Sequence, residues 1–460
     1  MMEYAGNKDP NSFPRRVADI VLPPLAWLLC QTLGILTWVL SSRRQIATRN
    51  LALAFPERSP RWHRRIAFLS VLRMFELFII PLVNPWLSEK ELRRRFTVSP
   101  DVMQKLLLLS KNGGVVFQPP HFATTEALAM APMLVEGLHV STMYRPLDFG
   151  PADRYVLRAR SRWGSSMVSR RENPLEIKHR LSAGDNVVIL FDQNAGRIGS
   201  LILSFERICC ATDLPGLLAS RAHATCCLIV GRRNGFLRAG LEVFDIPHDG
   251  TCADITARTT LVLEELLRKD DELCADWLWA HRRWKSVLSG ASNSLKNNHK
   301  KNYLQNSLHA MGLSELPRRQ PYCVRVPDGR AESELLAAWM PALRERRKDV
   351  RWIVVAPAAC ADLFVEGENC ERLVSFTPGG LKKALKSVAG EWTEMYMSFE
   401  PDSDTRGEAS LCRAEWSAGI STKGRKGKRE HLLLDARQTG DAKTFAETLK
   451  DYFRMCGMES

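Results

Sequence analysis

The run GGVVFQPPHFATTEALAMAPML sets His121 and Glu126 at H-x4-E spacing just beyond an apolar segment. An apolar strand ending at Gln118, a Pro-Pro turn and a glutamate opening a helix would place both side chains past the carboxyl end of a strand. In parallel α/β sheets, ligand sites gather at that edge. The two residue types have the parts of a base and its orienter. A neutral imidazole takes the proton of an attacking hydroxyl, while a carboxylate fixes the tautomer and stabilises the imidazolium. A His and a Glu five positions apart also fit a solvated loop pair, so the surrounding elements must decide.

Those elements read as an α/β domain. Short apolar runs at Val115–Phe117, Val140–Met143, Val187–Phe191 and Cys227–Val230 alternate with amphipathic stretches between about Val98 and Lys285. This alternation predicts a largely parallel sheet. Upstream, no charge occurs from Ile20 to Leu40, and Arg15-Arg16 and Arg43-Arg44 flank the run. As a helix, about twenty residues at ~1.5 Å each approach the ~30 Å hydrocarbon thickness of a bilayer. Pro23-Pro24 is expected to shorten the regular part, which fits a shallow or tilted anchor as well as a span, with a buried core helix as the alternative. A cleavable signal peptide is not expected, because Ser41-Ser42-Arg43-Arg44 follows the run instead of a small-residue cleavage site. Arginines on both flanks leave the orientation open. Next, Ile66, Leu69, Leu72, Phe75 and Phe78 recur every three residues, predicting one face of a helix that is either core-facing or laid on a membrane surface.

The 460 residues call for more than one domain, and a hydrophobic share of 45% does not describe a polytopic membrane protein. A net charge of +14 suits an anionic partner such as lipid headgroups or an acidic carrier protein. Nucleic acid is not expected, since the basic residues are dispersed and no recognised module is present. The 12 cysteines form no CxxC, and several sit in apolar runs, which fits a reduced, cytoplasm-facing protein. No His or Cys stands at ligand spacing from His121 or His281, so neither a metal nor another cofactor is expected. The stretch 286–320, rich in Ser, Asn and Lys, reads as a linker. Beyond it a second α/β pattern begins, with strands at Tyr322–Val326 and Trp352–Val355 around a helix at Leu335–Arg346. The expected division is 1–45 anchor segment, 46–285 catalytic domain, 286–320 linker and 321–460 smaller domain.

From about Arg43 to Lys285 the chain resembles the bacterial lipid A biosynthesis acyltransferases, within the wider lysophospholipid acyltransferase group. The resemblance runs in order. RNLALAFPE (Arg49–Glu57) is similar to the segment after that family's anchor, and HFATTE to its HFGNWE-type box. YRPLD (Tyr144–Asp148), ILFDQNAGRIG and WLWAHRRWK (Trp277–Lys285) are similar to its later blocks. The chain departs from the pattern at Pro120, Ala123, Thr124 and Thr125, and where SFERICCAT replaces a phenylalanine-rich FFG-x-x-A-x-T stretch, only Phe205, Ala211 and Thr212 fit. Changed acyl-chain or acceptor contacts are expected there.

The resemblance implies an acyltransferase-type αβ sandwich with an N-terminal membrane helix. It also implies His121 as general base, Glu126 as its acidic partner, and substrate contacts from Arg145, Asp192, Gln193, His281, Arg282 and Arg283. Arg145 could clamp a phosphate or carboxylate bidentately or form a structural salt bridge. Asp192 could hold loop backbone instead of substrate. WLWAHRRWK suits an interfacial position, with Trp at headgroup depth, or a core strand ending in a basic turn. Arg170, Arg171, Arg232 and Arg233 could receive an acidic carrier protein or be ordinary surface. The implied donor is an acyl-carrier-protein thioester (or acyl-CoA), the acceptor a glycolipid, and the location the cytoplasmic face of the inner membrane. A thioester is already activated, so such an enzyme mainly positions the hydroxyl and stabilises the oxyanion.

More faintly, 321–457 resembles the N-terminal half of the lipopolysaccharide heptosyltransferases, through PYCVRVPDGR, MPALRERRKDVRWIVVAPAACADLF and ISTKGRKGKREHLLLD. That family's GD pair is replaced by Glu334-Leu335, and its nucleotide-sugar half has no counterpart, so an inactive Rossmann-like α/β domain that binds core sugar or a partner is expected. The basic run Lys423–Arg429 reads as a solvated loop. The leading expectation is acyl transfer to a hydroxyl of a lipid A precursor. Acylation of another glycolipid or lysophospholipid, and a non-catalytic membrane scaffold, are the alternatives.

Overall fold

The computed structural model describes residues 13–169, 174–284, 301–401, 403–421 and 431–435. Arg170, Arg171, residues 286–300 of the expected linker and Lys423–Arg429 lie outside them. The chain divides into two units. One comprises Met1–Phe205, Cys210–Arg283 and Lys301–Gly312; the other comprises Glu206–Cys209, Trp284–Lys300 and Leu313–Ser460.

The first unit opens with helices α1 (Phe13–Leu40), α2 (Arg43–Ala54), α3 (Pro60–Val83) and α4 (Glu89–Arg95). Serines 59 and 88 cap α3 and α4 by accepting from Trp62 N and Glu91 N. α1 runs unbroken through Pro23 and Pro24, contrary to the expected shortening. One expectation for α3 needs correction. Its buried positions include His63, Ile66, Ala67, Ser70 and Val71, whereas Phe78 is exposed. A strict three-residue repeat walks around a helix of 3.6 residues per turn and does not mark one face.

The central sheet follows: β1 (Phe96–Val98), α5 (Pro100–Lys111), β2 (Val115–Gln118), α6 (Ala131–Leu134), β3 (Val140–Tyr144), α7 (Gly150–Ser161), β4 (Ser166–Ser169), α8 (Pro174–Ser182) and β5 (Asn186–Val188). Then come β6 (Ser200–Ser204), β7 (Arg207–Ala211), α9 (Leu214–Ala222), β8 (Thr225–Gly235), β9 (Arg238–Asp245), α10 (Cys252–Lys269), α11 (Asp271–Asp276) and α12 (Leu304–Ala310). Seven strands lie in the order β1-β9-β8-β2-β5-β3-β4, parallel except for the β8–β9 pair. Alternate residues of β2 serve opposite faces. Val115 and Phe117 join a cluster with Leu106 of α5 and Ala131 of α6, while Gln118 donates to Thr259 Oγ1 of α10. The sheet is therefore covered by helices on both faces, as its near-continuous apolar strands require.

The segment 301–312 is not linker. It belongs to the first unit, where Leu201 N donates to Lys301 O and Leu203 N to Ser307 Oγ.

The second unit contains β10 (Gln320–Arg325), α13 (Arg330–Arg346), β11 (Val350–Pro357), β12 (Arg372–Phe376), α14 (Leu381–Ser387), β13 (Met395–Ser398), α15 (Thr405–Leu411), β14 (Trp416–Ser421) and β15 (His431–Asp435). Its six strands are all parallel in the order β12-β11-β10-β13-β14-β15. Renumbered within the unit this is 3-2-1-4-5-6, the order of a doubly wound Rossmann-like sheet.

Candidate active site

β2 ends at Gln118 because Pro119 and Pro120 carry no N–H to continue the ladder. The turn they start is pinned on both sides. Thr125 Oγ1 donates to Pro120 O at 2.6 Å and accepts from Phe122 N at 2.8 Å. Ala123 N donates to Asp276 O, and Leu278 N donates to His121 O at 3.1 Å. Thr124 Oγ1 donates to Gly231 O on β8. A Cβ at Gly231 would stand 3.0 Å from that hydroxyl, so the close approach uses a glycine. The threonines that replace the family's residues in this box are thus the ties that fix His121.

The carboxylate that meets His121 is Asp192, not Glu126. His121 Nδ1 lies 2.6 Å from Asp192 Oδ1, and His121 N donates to Asp192 Oδ2 at 2.8 Å. Trp277 Nε1 donates to the same Oδ2 at 2.5 Å. Arg283 Nη1 donates to the Asp192 backbone carbonyl at 2.5 Å. Burial alone would push the Asp192 carboxyl up, but the His121 imidazole beside it and these N–H donors hold it down at about 2. Asp192 is 3% exposed, and its carboxylate oxygens are taken by His121 and Trp277. Nδ1 donating to a carboxylate leaves Nε2 as the free, basic nitrogen, and no described residue partners it.

Glu126 is elsewhere engaged. It sits in the first turn of a 3-10 helix (Thr125–Met130), and its two oxygens accept from Arg160 of α7 at 2.8 and 2.5 Å. The short helix and the forked guanidinium account for its absence from His121: both acceptor oxygens are already held bidentately.

A pocket opens on His121, lined also by Asn50, Asp192, Gln193, Trp277, Leu278, Trp279, His281 and Arg283. Its wall is the loop after α11, held by α2. Asn50 Nδ2 donates to Trp279 O at 2.8 Å and His281 O at 2.7 Å, and Arg43 Nη1 donates to Ala280 O at 2.9 Å. The ring of Trp277 meets that of Trp279 edge-on at 4.5 Å, a rigid apolar floor. His281 Nε2 accepts from Asn194 N at 2.9 Å. Burial, reinforced by the Arg283 guanidinium, lowers its imidazole to about 4, so it stays neutral and keeps that acceptor near pH 7. The Asn194 side chain donates to the carbonyls of Arg282 and Arg283, which ties the loop after β5 to the pocket wall.

Of the residues expected at the site, His121, Asp192, Gln193, His281 and Arg283 are brought together. Arg282 joins through its backbone, and Arg145 stands exposed just past the end of β3. Sequence reasoning passed over Asn50, Asn194, Trp277 and Arg160. The first three lay in plain sight inside the blocks RNLALAFPE, DQNAG and WLWAHRR.

Residues 17–286 match the family model described as bacterial lipid A biosynthesis acyltransferase. The chain belongs to that family. It is accordingly an acyltransferase of lipid A synthesis. No curated protein matches it. Among solved structures it is similar to the glycosyl transferase family 9 from Veillonella parvula DSM 2008, with 17% identity and a TM-score of 0.25. That likeness covers 32% of this chain, which spans 45% of the other. The apo-form glycosyltransferase GlyE in Streptococcus pneumoniae TIGR4 is similar at 9% identity and a TM-score of 0.18, over 74% of this chain and 99% of that one.

Proposed function

We propose that the first unit transfers a fatty acyl group from an acyl-carrier-protein thioester (or acyl-CoA) to a hydroxyl of a lipid A precursor, with His121 as general base. The observation that carries this reading is the imidazole itself, bonded through Nδ1 to a buried carboxylate while Nε2, beside the pocket, has no partner among the described residues. The acceptor hydroxyl gives its proton to Nε2 as its oxygen bonds to the thioester carbonyl carbon. Asp192, already ionised, stabilises the imidazolium that results. Collapse of the tetrahedral intermediate breaks the C–S bond, and the departing sulfur takes the proton from Nε2. The products are an ester and a free thiol, and the imidazole is neutral again.

Asp192 acts as a positioning residue through His121. The Glu126–Arg160 pair braces the turn and α7 against each other. Gln193 and Arg283 line the pocket and are the side chains proposed to meet substrate, with Arg145 offering an exposed cation to an acceptor phosphate. The departures at SFERICCAT favour one variation, another glycolipid or lysophospholipid as acceptor. The second unit is proposed to bind a sugar or a partner without catalysing transfer, because Glu334-Leu335 stands where the heptosyltransferases have GD.

The test is acyl incorporation by membranes containing wild-type protein or His121→Ala, given a carrier-protein thioester and a lipid A precursor. Transfer that disappears with the substitution is expected. Transfer that survives it would remove His121 from the mechanism.

A further inference from the structure

We propose that α1 does not cross the membrane but lies in its plane, as a monotopic platform beside the catalytic unit. The inference rests on the reading that this chain works at a membrane. The charge-free run Ile20–Leu40 is long enough to span, and so is α3 by the same measure. What decides the matter is how the two helices are joined to each other and to the unit.

They run antiparallel along their whole length. Ser88, just past α3, donates through N and Oγ to Asp19 at 2.8 and 2.6 Å. Ala26 packs in one cluster with Ile80 and Val83. A Cβ on Gly34 would lie 2.9 Å from Leu72 Cα, so the two backbones touch there. Trp38 meets Phe68 at 5.2 Å. At the far end Arg43 reaches the Ala280 carbonyl in the pocket wall.

α3 is in turn stitched to the catalytic unit by ion pairs. Arg73 pairs with Asp276 at 2.9 Å and Glu272 at 2.6 Å, and Glu76 pairs with Arg233 at 2.7 Å. Arg73 and Glu76 fall between Leu72 and Ile80, hence level with α1 between Gly34 and Ala26, the middle of its apolar run. If α1 spanned a bilayer in this arrangement, those charges, α11 and part of β8 would sit at the depth of the hydrocarbon core. Charged groups there are strongly disfavoured.

The same geometry leaves the outer side of α1 bare. Ile20, Leu25, Leu28, Leu36, Val39 and Leu40 are 47 to 77% exposed. No described element covers them. Such a surface, flanked by Arg15-Arg16 and Arg43-Arg44, fits the headgroup–acyl boundary of an anionic leaflet, apolar side chains inward and guanidinium groups at the phosphates. Because Leu40 is followed within three residues by the arginine that holds Ala280, the pocket wall lies beside the C-terminal end of the platform. An acceptor lipid therefore reaches His121 sideways from the leaflet, without leaving it.

The full chain, carrying an epitope at each terminus and Arg44→Cys between α1 and α3, tests this in sealed vesicles of both orientations. Protease and an impermeant maleimide are expected to reach both epitopes and position 44 from one and the same face. An N-terminal epitope on the opposite face from the C-terminal one would mean a single span and overturn the proposal. Position 44 alone on the opposite face would mean a helical hairpin and overturn it too. A chain found in the soluble fraction after lysis would refute the membrane reading itself, a different failure from either.

Discussion

Asp192→Asn separates the orientation of His121 from the mere presence of a neighbour. The carboxylate accepts three N–H groups in an uneven arrangement: His121 N and Trp277 Nε1 on Oδ2, His121 Nδ1 on Oδ1. A carboxamide has one accepting oxygen, which fits best where two donors converge. Its NH2 group then points at Nδ1, which must become the acceptor, and the ring proton moves to Nε2. In that tautomer His121 cannot take the proton of a hydroxyl. Recovering the reactive tautomer requires the amide to flip and set its NH2 against both other donors. Losing two hydrogen bonds to a charged acceptor, at about 1.5–3 kcal/mol each, costs about 3–6 kcal/mol. At 1.36 kcal/mol per tenfold this predicts a fall in kcat of roughly 10² to 10⁴. The assay is initial-rate acyl transfer to a lipid A precursor by purified protein, with a melting curve to establish that the variant is folded. A folded Asp192→Asn protein retaining activity within about tenfold of wild type would refute the reasoning and return the orienting role to another group.

Three further outcomes are expected. Glu126→Gln should lower stability by about 2–3 kcal/mol, because it strands a guanidinium that is mostly buried; adding Arg160→Met should restore much of that loss, and a double-mutant cycle of melting temperatures checks the coupling. Asn50→Ala leaves the buried Trp279 carbonyl unpaired and removes one of two donors from the His281 carbonyl, which keeps Arg283 N, so a loss of about 1–3 kcal/mol with a raised KM is expected from calorimetry and kinetics. His281 makes one contribution to the pH dependence, opposed by Glu264 and Asp276, whose carboxyls burial raises to about 7: its folded value, about 4, lies below the unfolded 6.5, so the unfolded chain binds the extra proton between them. Its contribution is complete above pH 6.5 and fades as pH falls toward 4, by about 3 kcal/mol in total. Denaturant titrations should therefore show the stability difference between wild type and His281→Gln growing as pH rises between those values.

Legibility in the sequence followed how local each cause was. His121 was readable because the apolar run and the two prolines after it terminate a strand wherever they occur, and α/β sheets keep their chemistry at strand ends. Its partner was not readable, because the pairing with Asp192 closes across 71 positions and depends on β5 leaving the sheet after Val188, earlier than its apolar run suggested. The H-x4-E spacing pointed instead to Glu126, a residue whose direction is set by a 3-10 turn and by an arginine on α7. The second sheet was legible as alternating strands and helix, since each strand of a doubly wound fold is a nearly continuous apolar run; its 3-2-1-4-5-6 order lies in crossovers that no local pattern encodes.

The N-terminal helices show the same limit in another form. A charge-free stretch says that a helix wants apolar surroundings, yet it cannot say whether lipid or protein provides them. The deciding residues stood in the neighbouring helix: Arg73 and Glu76 interrupt the apolar run of α3, and a charge in such a run must find a partner of opposite sign. Those partners are Asp276, Glu272 and Arg233, all on the catalytic unit, so α3 is core rather than span. Once α3 is core, a helix lying along it from Ser88 to Phe68 shares its depth, whatever its own hydropathy. The topology of α1 is therefore set less by its own sequence than by two charged residues that it packs beside.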